Sequence, residues 1–325
     1  MIFPKCMIGR PPFVSYTGQV TPCCWSHEDE EFYDEDFNLN NNKLADILSS
    51  DKWKNIKEKI LYEAPAVCVE QCSEFLVKND EALDEGTSAP KLWDRNTKQK
   101  FKETLSHSET IFKRSASKFV EDKKIQIETT SRCTLACPYC ERTIKKGTGR
   151  YYKGDLSLEA LHDVITTKRW ERVNDCGNYG DPTFYKYFHE FLDIMIDSPV
   201  NMYNCSIAAT GRPKKWWNKT IDKFLKMKQK NIIVNVVFGI DGLKGTSAKH
   251  RINQDYDEIW NNMIDCKKAG LNSIWQVIAT SQNEHEIKKI YEIGSKLSIP
   301  IRLVISPRFK PGDKLKPRNK NLVQN

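Results

Sequence analysis

Three cysteines stand close together in the stretch "TTSRCTLACPYCER". They are Cys133, Cys137 and Cys140, with three and then two residues between them. A structural zinc site takes four ligands, yet neither a histidine nor a fourth cysteine lies within 20 residues on either side. Thiolates are soft ligands that suit zinc or iron–sulfur clusters. Three of them would hold a four-iron cluster and leave one iron open to a small molecule, so the triplet predicts a reactive cluster.

The composition is that of a polar chain without a membrane segment. Of its 325 residues 39% are hydrophobic, and no apolar run approaches the ~18–20 residues that cross a bilayer. The first residues lack the pattern of a secretory signal, so we expect a cytoplasmic location. Because that compartment is reducing, eleven cysteines indicate metal ligation rather than disulfides.

The net charge of +8 is unevenly distributed. Residues 1–90 carry 8 Lys/Arg against 17 Asp/Glu, and the basic excess lies in the remainder. A basic surface attracts acidic partners, nucleic acid among them, but the chain has no recognisable nucleic-acid module. We therefore interpret the charge as solvated surface and do not favour a nucleic-acid partner.

Short β-rich runs alternate with helical periods from residue 123 onward. The candidate strands are "KIQIETT" (124–130), "ERVNDCG" (171–177), "MYNCSIAA" (202–209), "NIIVNVVFGI" (231–240), "SIWQVIAT" (273–280) and "IPIRLVI" (299–305). Between them, one helix has an apolar face from Tyr256 to Ile264 and ends at Gly270, and another opens with the capping-box spacing of Ser281 and Glu284.

Six β/α units in series predict parallel strands with right-handed crossovers. Six are fewer than the eight of a closed barrel, so the fold class is α/β, an open partial (β/α)6 barrel over residues 123–310. Chemistry in such folds lies at the carboxyl ends of the strands. The cysteine triplet directly follows the first candidate strand.

The remaining chain divides into three segments. Residues 1–78 are cysteine-rich, with turn chemistry around "YTGQV" and one predicted helix, "LADILSSDKWKNIKEKIL". Residues 79–122 are polar and predict a connector with surface helices, and residues 311–325 form a basic tail.

The triplet and its position resemble the radical S-adenosylmethionine (SAM) superfamily. That family places CxxxCxxC in the loop after the first strand of a partial barrel. The resemblance implies an oxygen-sensitive enzyme whose three-cysteine 4Fe–4S cluster reductively cleaves SAM to a 5′-deoxyadenosyl radical that abstracts hydrogen from substrate. It also implies an electron donor such as flavodoxin or ferredoxin.

Further segments match the pattern of this family. "GNYGDP" after the second strand is similar to the GGEP turn that binds the SAM amino group, and "ATGR" after the third is similar to TNG. "GIDG" with a later arginine resembles a further cofactor-binding segment, and Arg251 is the candidate partner of the SAM carboxylate because its planar fork suits one. The cofactor-binding residues implied are Tyr139, Tyr179, Gly180, Asp181, Pro182, Thr210, Gly211, Asp241 and Arg251.

Three departures from the pattern stand out. In the GGEP turn Tyr179 replaces a glycine and Asp181 replaces the glutamate, and Gly239 stands where the family often has a hydroxyl residue for the ribose. Tyr139, between the second and third cysteines, holds a position where aromatic residues lie near the adenine. Ordinary loop packing is the alternative for Tyr139.

The N-terminal cysteines resemble the auxiliary-cluster modules called SPASM and twitch. Cys6 and Cys23 flank Gly18 at the spacing of such a module, and a helix then leads to a closing pair, Cys68 and Cys72. The resemblance implies one auxiliary 4Fe–4S cluster with four cysteine ligands, in the shorter twitch-like form, that transfers electrons. A structural zinc is the alternative.

Two further cysteines have no assigned role. Cys24 is spare beside Cys23, and Cys176 lies beside the GGEP-like turn; burial is the simplest interpretation for both. The alternatives are that Cys24 replaces Cys23 or assists the substrate, and that Cys176 faces the active site. The auxiliary module usually follows the barrel, whereas here it precedes it, and we expect it to dock near the barrel mouth.

The substrate is the least determined part of the prediction. Relatives with auxiliary modules often modify peptides or proteins, which makes such a substrate the first choice. A dehydrogenase of a small molecule and an RNA-modifying enzyme are alternatives. A non-enzymatic iron–sulfur scaffold or redox sensor is the alternative of another class.

Overall fold

Eight strands form one sheet in the order β2-β1-β3-β4-β5-β6-β7-β8. The structure is a computed structural model that describes residues 11–63, 65–68, 123–147, 153–306, 308–309, 312–319 and 322. The strands are β1 Phe13–Val14, β2 Val20–Thr21, β3 Lys124–Ile127, β4 Arg172–Asp175, β5 Met202–Ile207, β6 Ile233–Gly239, β7 Asn272–Ile278 and β8 Ile301–Val304.

The six strands β3 to β8 pair in parallel, each with the next along the chain. All six candidate strands are thereby confirmed, as is the partial barrel. Their residues alternate: Tyr203, Cys205 and Ile207 of β5 lie in the apolar core, whereas the residues between them are half-buried. Since neighbouring side chains on a strand point to opposite faces, the half-buried set faces the barrel interior.

The helices alternate with the barrel strands, as the sequence predicts. They are α1 Leu44–Ser49, α2 Asp51–Tyr62, α3 Glu141–Gly147, α4 Leu158–Thr166, α5 Phe188–Ile196, α6 Lys214–Gln229, α7 Ser247–His250, α8 Tyr256–Lys268 and α9 Ile287–Leu297. The predicted helix end at Gly270 is confirmed, since this residue follows α8 with a φ of 79°.

The N-terminal hairpin continues the barrel sheet. β1 pairs in parallel with the end of β3, with Val14 opposite Ile127, and β2 pairs antiparallel with β1. Gly18 turns the hairpin with a φ of 86°, which confirms the predicted turn. Val14, Leu44 and other residues of this segment lie in the same apolar core as the barrel residues. The N-terminal segment is therefore packed onto the barrel.

Two local predictions were wrong. The single helix predicted over "LADILSSDKWKNIKEKIL" is two helices, because Ser50 adopts an extended backbone and its side chain accepts a hydrogen bond from the N–H of Trp53, which starts α2. Ser281 does not cap a helix: its N–H and hydroxyl donate to the carbonyls of Leu315 and Lys314, and α9 begins only at Ile287.

Some predictions fall outside the described residues. These are Cys6, Cys72, the connector 79–122 and part of the tail. The described part of the tail lies against the barrel, with the N–H groups of Arg318 and Asn319 donating to Glu284. Among the described helices none has the length and apolar character of a membrane span.

Candidate active site at the carboxyl ends of the strands

The three triplet cysteines line one cavity of about 270 Å³ at the carboxyl ends of the barrel strands. All three are free thiols and half-buried. Burial, and then the charge of Asp181, raises the pKa of Cys133 to about 12. Burial also raises the pKa of Cys137, although Arg251 acts in the opposite direction. Such thiols become ligands only when a metal replaces the proton.

The loop that carries the triplet is fixed from several sides. The N–H of Ala136 donates to the carbonyl of Ile252 over 3.0 Å, and the Thr134 hydroxyl donates to the carbonyl of Thr210 over 3.1 Å. The buried Arg142 of α3 donates to the carbonyl of Leu135 inside the loop. The loop is thus tied to the segments after β5 and β6, which the sequence analysis assigns to SAM.

The GGEP-like turn packs directly on the strand that precedes the triplet. A Cβ on Gly180 would stand 2.0 Å from the carbonyl oxygen of Thr130, so glycine is required for this approach. The N–H groups of Tyr179 and Gly180 donate to Oε1 of Glu128, a buried residue that follows β3. Glu128 was not among the predicted site residues, although an acidic side chain within the first candidate strand was the available signal.

Asp181 lines the cavity, but its carboxylate already has partners. Oδ1 accepts from the N–H and hydroxyl of Thr183, and Oδ2 accepts from the N–H groups of Ala208 and Ala209 at 2.7 and 2.8 Å. The side chain therefore fastens the turn to the end of β5. We infer a positioning role for Asp181, and its contact with SAM remains a prediction.

Tyr179 contacts the N-terminal segment. Its ring centroid is 5.7 Å from that of Tyr16 and 5.3 Å from that of His27, and Lys145 lies over its face at 5.4 Å. The hydroxyl of Tyr179 is buried and has no hydrogen-bond partner in the described structure. The tyrosine that replaces the family's glycine thus joins the GGEP-like turn to the N-terminal segment.

Arg251 lines the cavity in an ion pair with Asp241. Its Nε lies 2.6 Å from Oδ2 of Asp241, and His250 Nδ1 lies 2.7 Å from the same oxygen. Burial alone would raise the pKa of Asp241, but Arg251 and His250 hold it below its ordinary value. Asp241 is fully buried behind Arg251, so it orients that arginine.

Among the other predicted SAM residues, Tyr139 lines the cavity, with its ring 5.3 Å from that of Phe309 in an edge-to-face arrangement. Pro182, Thr210 and Gly211 do not line it. Thr210 accepts a hydrogen bond from the N–H of Asp255, and the N–H of Gly211 donates to Glu258. Pro182 is buried at the start of a short 3-10 turn. Contacts of these residues with SAM stay predictions.

Three cysteines of the N-terminal set fall within the described residues. Cys23 follows β2 in a turn closed by Ser26, whose hydroxyl donates to the Cys23 carbonyl over 2.9 Å. Cys68 is buried against Phe32 and Ile60. Cys24 is close enough to Cys176 to affect the pKa of that thiol. The four-cysteine ligand set remains a prediction, because two of its members lie outside the described residues.

Cys176 lines the cavity beside the triplet. Gln126 of β3 donates to its Sγ over 3.0 Å, and burial, followed by Glu128, raises the pKa of the thiol well above its ordinary value. Gln126 is a second site residue that was not predicted. Nothing in the short strand KIQI, which also contains Lys124, distinguished it.

The residues around the cavity fit an iron–sulfur cluster better than a single ion. In the part of the chain that the structure describes, no three His, Cys, Asp or Glu side chains form a group that could hold one metal ion. A four-iron cluster is wider than an ion, so its cysteines are spread around it. Three thiols around one cavity, without a fourth protein ligand among them, suit a cluster with an open iron.

The sequence matches two family models. The model of the radical SAM superfamily matches residues 127–293, about half of the chain. The chain belongs to the radical SAM superfamily. A second model, the iron–sulfur cluster-binding domain SPASM, matches residues 6–73, which confirms an auxiliary-cluster domain at the N-terminal side of the barrel.

Several solved structures are similar to this chain. For anSMEcpe with bound AdoMet the identity is 16% and the TM-score 0.45, over 56% of this chain and 52% of that one. For Streptococcus suis SuiB bound to S-adenosylmethionine the identity is 13% and the TM-score 0.49, over 84% of this chain and 56% of that one. For methylornithine synthase (PylB) the identity is 15% and the TM-score 0.40, over 59% of this chain and 58% of that one.

The chain spans little more than half the length of these solved structures. No curated protein sequence matches it.

Proposed function

We propose that this radical SAM enzyme modifies a peptide or protein substrate. The observation that carries the proposal is the position of the N-terminal domain, whose hairpin extends the sheet at β3 and contacts Tyr179 of the GGEP-like turn. Domains of this kind accompany enzymes that oxidise or cross-link peptide side chains. Here the domain lies beside the cavity where a substrate would react.

Each residue set has a proposed role. Cys133, Cys137 and Cys140 hold the catalytic cluster, and Cys6, Cys23, Cys68 and Cys72 hold the auxiliary one. The turn from Tyr179 to Pro182 and Arg251 bind the amino-acid part of SAM, with Tyr139, Thr210 and Gly211 around its nucleoside. When bound, the catalytic cluster and SAM supply a radical that abstracts hydrogen. The chain's own residues orient SAM and exclude water.

A cluster count tests these assignments. The wild type and a Cys133→Ala/Cys137→Ala/Cys140→Ala variant are reconstituted anaerobically and analysed for iron and sulfide. Two four-iron clusters give about eight irons in the wild type and about four in the variant. After addition of dithionite and SAM, only the wild type forms 5′-deoxyadenosine. About four irons and retained zinc in the wild type would contradict the auxiliary cluster.

The substrate class needs a separate test. The reconstituted enzyme, SAM and a reductant are incubated with a tryptic peptide mixture, which is then analysed by mass spectrometry. We expect peptides that lose two hydrogens or become cross-linked, and none with the triple-alanine variant. Transfer of deuterium from deuterated polyols to 5′-deoxyadenosine, with every peptide unchanged, would instead indicate a small-molecule dehydrogenase.

A further inference from the structure

The carboxyl ends of β7 and β8 form a wall of the active-site cavity that the proposed function does not use. Gln276 and Ile278 of β7 and Ser306 and Arg308 after β8 line this cavity together with the cysteine triplet. Every proposed SAM contact lies on a segment that follows β3, β4, β5 or β6. The wall from β7 and β8 is therefore the part of the cavity lining that remains for a substrate.

Arg308 brings a positive charge to this wall. Its side chain is 26% exposed, so it is neither a surface residue nor fully enclosed. Nη1 donates to the carbonyl of Tyr139 over 3.1 Å, and this is the one hydrogen bond that the side chain makes within the described residues. A guanidinium has five N–H donors in a planar fork. At least four of these donors remain for other acceptors.

The charge of Arg308 has no carboxylate within hydrogen-bond distance among the described residues. Oε1 of Glu141 is 3.9 Å from the Nε of Arg308, which is longer than a hydrogen bond. Arg251, by contrast, has its Nε 2.6 Å from the buried carboxylate of Asp241. Asp181 is the one acidic residue in the described cavity lining, and both of its oxygens already accept hydrogen bonds from the chain. A carboxylate on a ligand would compensate the charge of Arg308.

Contacts with the triplet loop fix the position of Arg308. Tyr139 stands between Cys137 and Cys140, so the carbonyl that accepts from Nη1 belongs to the loop that carries the triplet. The ring of the neighbouring Phe309 is buried and packs edge-to-face on the Tyr139 ring, with centroids 5.3 Å apart. A group bound to this guanidinium would therefore lie beside the proposed catalytic cluster.

We infer that Arg308 binds a carboxylate and that the substrate supplies it. The inference rests on the proposed function. For a peptide substrate it specifies a C-terminal carboxylate or an Asp or Glu side chain near the C–H bond that reacts. The planar fork of arginine matches the two oxygens of a carboxylate, and hydrogen bonds between charged groups are roughly twice as strong as neutral ones. An amide in the same place lacks the charge and one of the two acceptor oxygens.

Pairs of probes with and without a carboxylate test this inference. They are acetyl-Gly-Ala-Gly with a free or an amidated C-terminus, acetyl-Gly-Asp-Gly-amide with acetyl-Gly-Asn-Gly-amide, and glucuronate with glucose. Each probe is titrated anaerobically into the reconstituted holoenzyme with SAM and without reductant, and saturation-transfer NMR gives its affinity. Because SAM also carries a carboxylate, equilibrium dialysis gives the affinities for SAM and for decarboxylated SAM.

Two substitutions separate the charge of Arg308 from its shape. Arg308→Gln removes the charge and keeps a hydrogen-bonding side chain, whereas Arg308→Lys keeps the charge and loses the fork. Arg302→Gln is the matched control, because Arg302 of β8 is exposed and does not line the cavity. Iron content and unfolding temperature show whether each variant is folded.

The wild type should prefer the carboxylate peptides. We expect it to bind them about tenfold more tightly than their amide counterparts, which corresponds to one charge-assisted contact. Arg308→Gln should remove this preference, Arg308→Lys should retain a part of it, and Arg302→Gln should leave it unchanged. The affinity for SAM should be the same in all variants.

The outcomes separate this inference from the proposed function. Equal affinity for both members of each pair, or an undiminished preference in folded Arg308→Gln, would overturn the role of Arg308. A loss of SAM affinity in Arg308→Gln, with the affinity for decarboxylated SAM unchanged, would overturn the substrate as the source of the carboxylate. A preference for glucuronate alone, lost in Arg308→Gln, would support the carboxylate site and contradict the peptide substrate. Absence of binding by every probe at millimolar concentration would overturn the inference.

Discussion

The guanidinium of Arg251 lies directly against the backbone of Gly239. A Cβ at position 239 would stand 2.9 Å from Nη2 of Arg251, closer than real Cβ contacts. Asp241 holds the guanidinium there, with Nε 2.6 Å from Oδ2. Position 239, where the family often has a hydroxyl residue for the ribose, is a glycine here. The guanidinium of Arg251 occupies the space that a side chain at this position would fill.

A side chain at position 239 should conflict with Arg251. We expect Gly239→Ala to lower the free energy of unfolding by about 2 kcal/mol, because the added methyl group overpacks a site whose guanidinium is fixed by Asp241. A double-mutant cycle with Arg251→Gln, measured by denaturant unfolding under anaerobic conditions, checks the cause. In the Arg251→Gln background, Gly239→Ala should cost about 1 kcal/mol less unfolding free energy than it does in the wild type. Additive effects would show that Arg251 is not the obstacle.

Tyr179 should stabilise the junction of the N-terminal segment and the GGEP-like turn. We expect Tyr179→Gly, which restores the family residue, to cost about 3 kcal/mol of unfolding free energy, because a buried ring and its contacts with Tyr16 and His27 are lost. Tyr179→Phe is the control and should be neutral or slightly stabilising, since the buried hydroxyl has no partner in the described structure. Equal losses in both variants would contradict this account.

Gly180 should tolerate no side chain at all. In Gly180→Ala the new Cβ meets backbone atoms of Thr130 and Arg132, which cannot move aside as a side chain can. We expect a loss of about 3 kcal/mol in stability and weaker SAM binding, measured by anaerobic equilibrium dialysis. Asn178→Ala in the same turn is the matched control. A Gly180→Ala variant with wild-type SAM affinity would show that the turn does not depend on this contact.

His27 should make stability depend on pH. Burial and the charge of Lys145 lower the pKa of His27 to about 4, whereas the unfolded residue titrates near its ordinary value of 6.5. Between these values the unfolded state binds the proton and the folded state does not, so stability falls as the pH drops from about 6.5 toward 4.

The variant His27→Phe keeps a ring between Phe13 and Tyr179 and removes the titration. Urea midpoints at pH 5 and pH 7 should differ less in this variant than in the wild type. A part of the dependence will remain, because burial also lowers the pKa of His189 to about 4. An unchanged difference in His27→Phe would show that His27 is not the group that titrates.

The barrel strands were predictable because their signals are local. Most candidate runs are rich in β-branched or aromatic residues, and helical periods separate them. The two wrong predictions concern helix starts, where a serine side chain can either cap the helix or form a hydrogen bond with another segment. Ser50 caps the following helix, and Ser281 bonds the C-terminal segment instead. Local sequence does not distinguish these uses.

The site was predictable only in part. The spacing of Cys133, Cys137 and Cys140 indicates their common purpose, because a short loop keeps them near one another. The partners of Arg251 and Tyr179 gave no comparable signal, since Asp241 and His27 reach them through packing. Four of the observed strands contain one asparagine each, yet nothing in the local sequence shows that these residues are register partners in the sheet.

The sequence by itself determined the class of the protein: a β/α chain with a cysteine triplet after its first barrel strand and an auxiliary domain before it. Tertiary structure alone decided strand register, which aligns Asn174, Asn204, Asn235 and Asn272 across some hundred residues of chain, and the docking of the N-terminal hairpin on β3. The physical reason is that periodicity and ligand spacing act between near neighbours, whereas register and side-chain partners depend on contacts between distant segments.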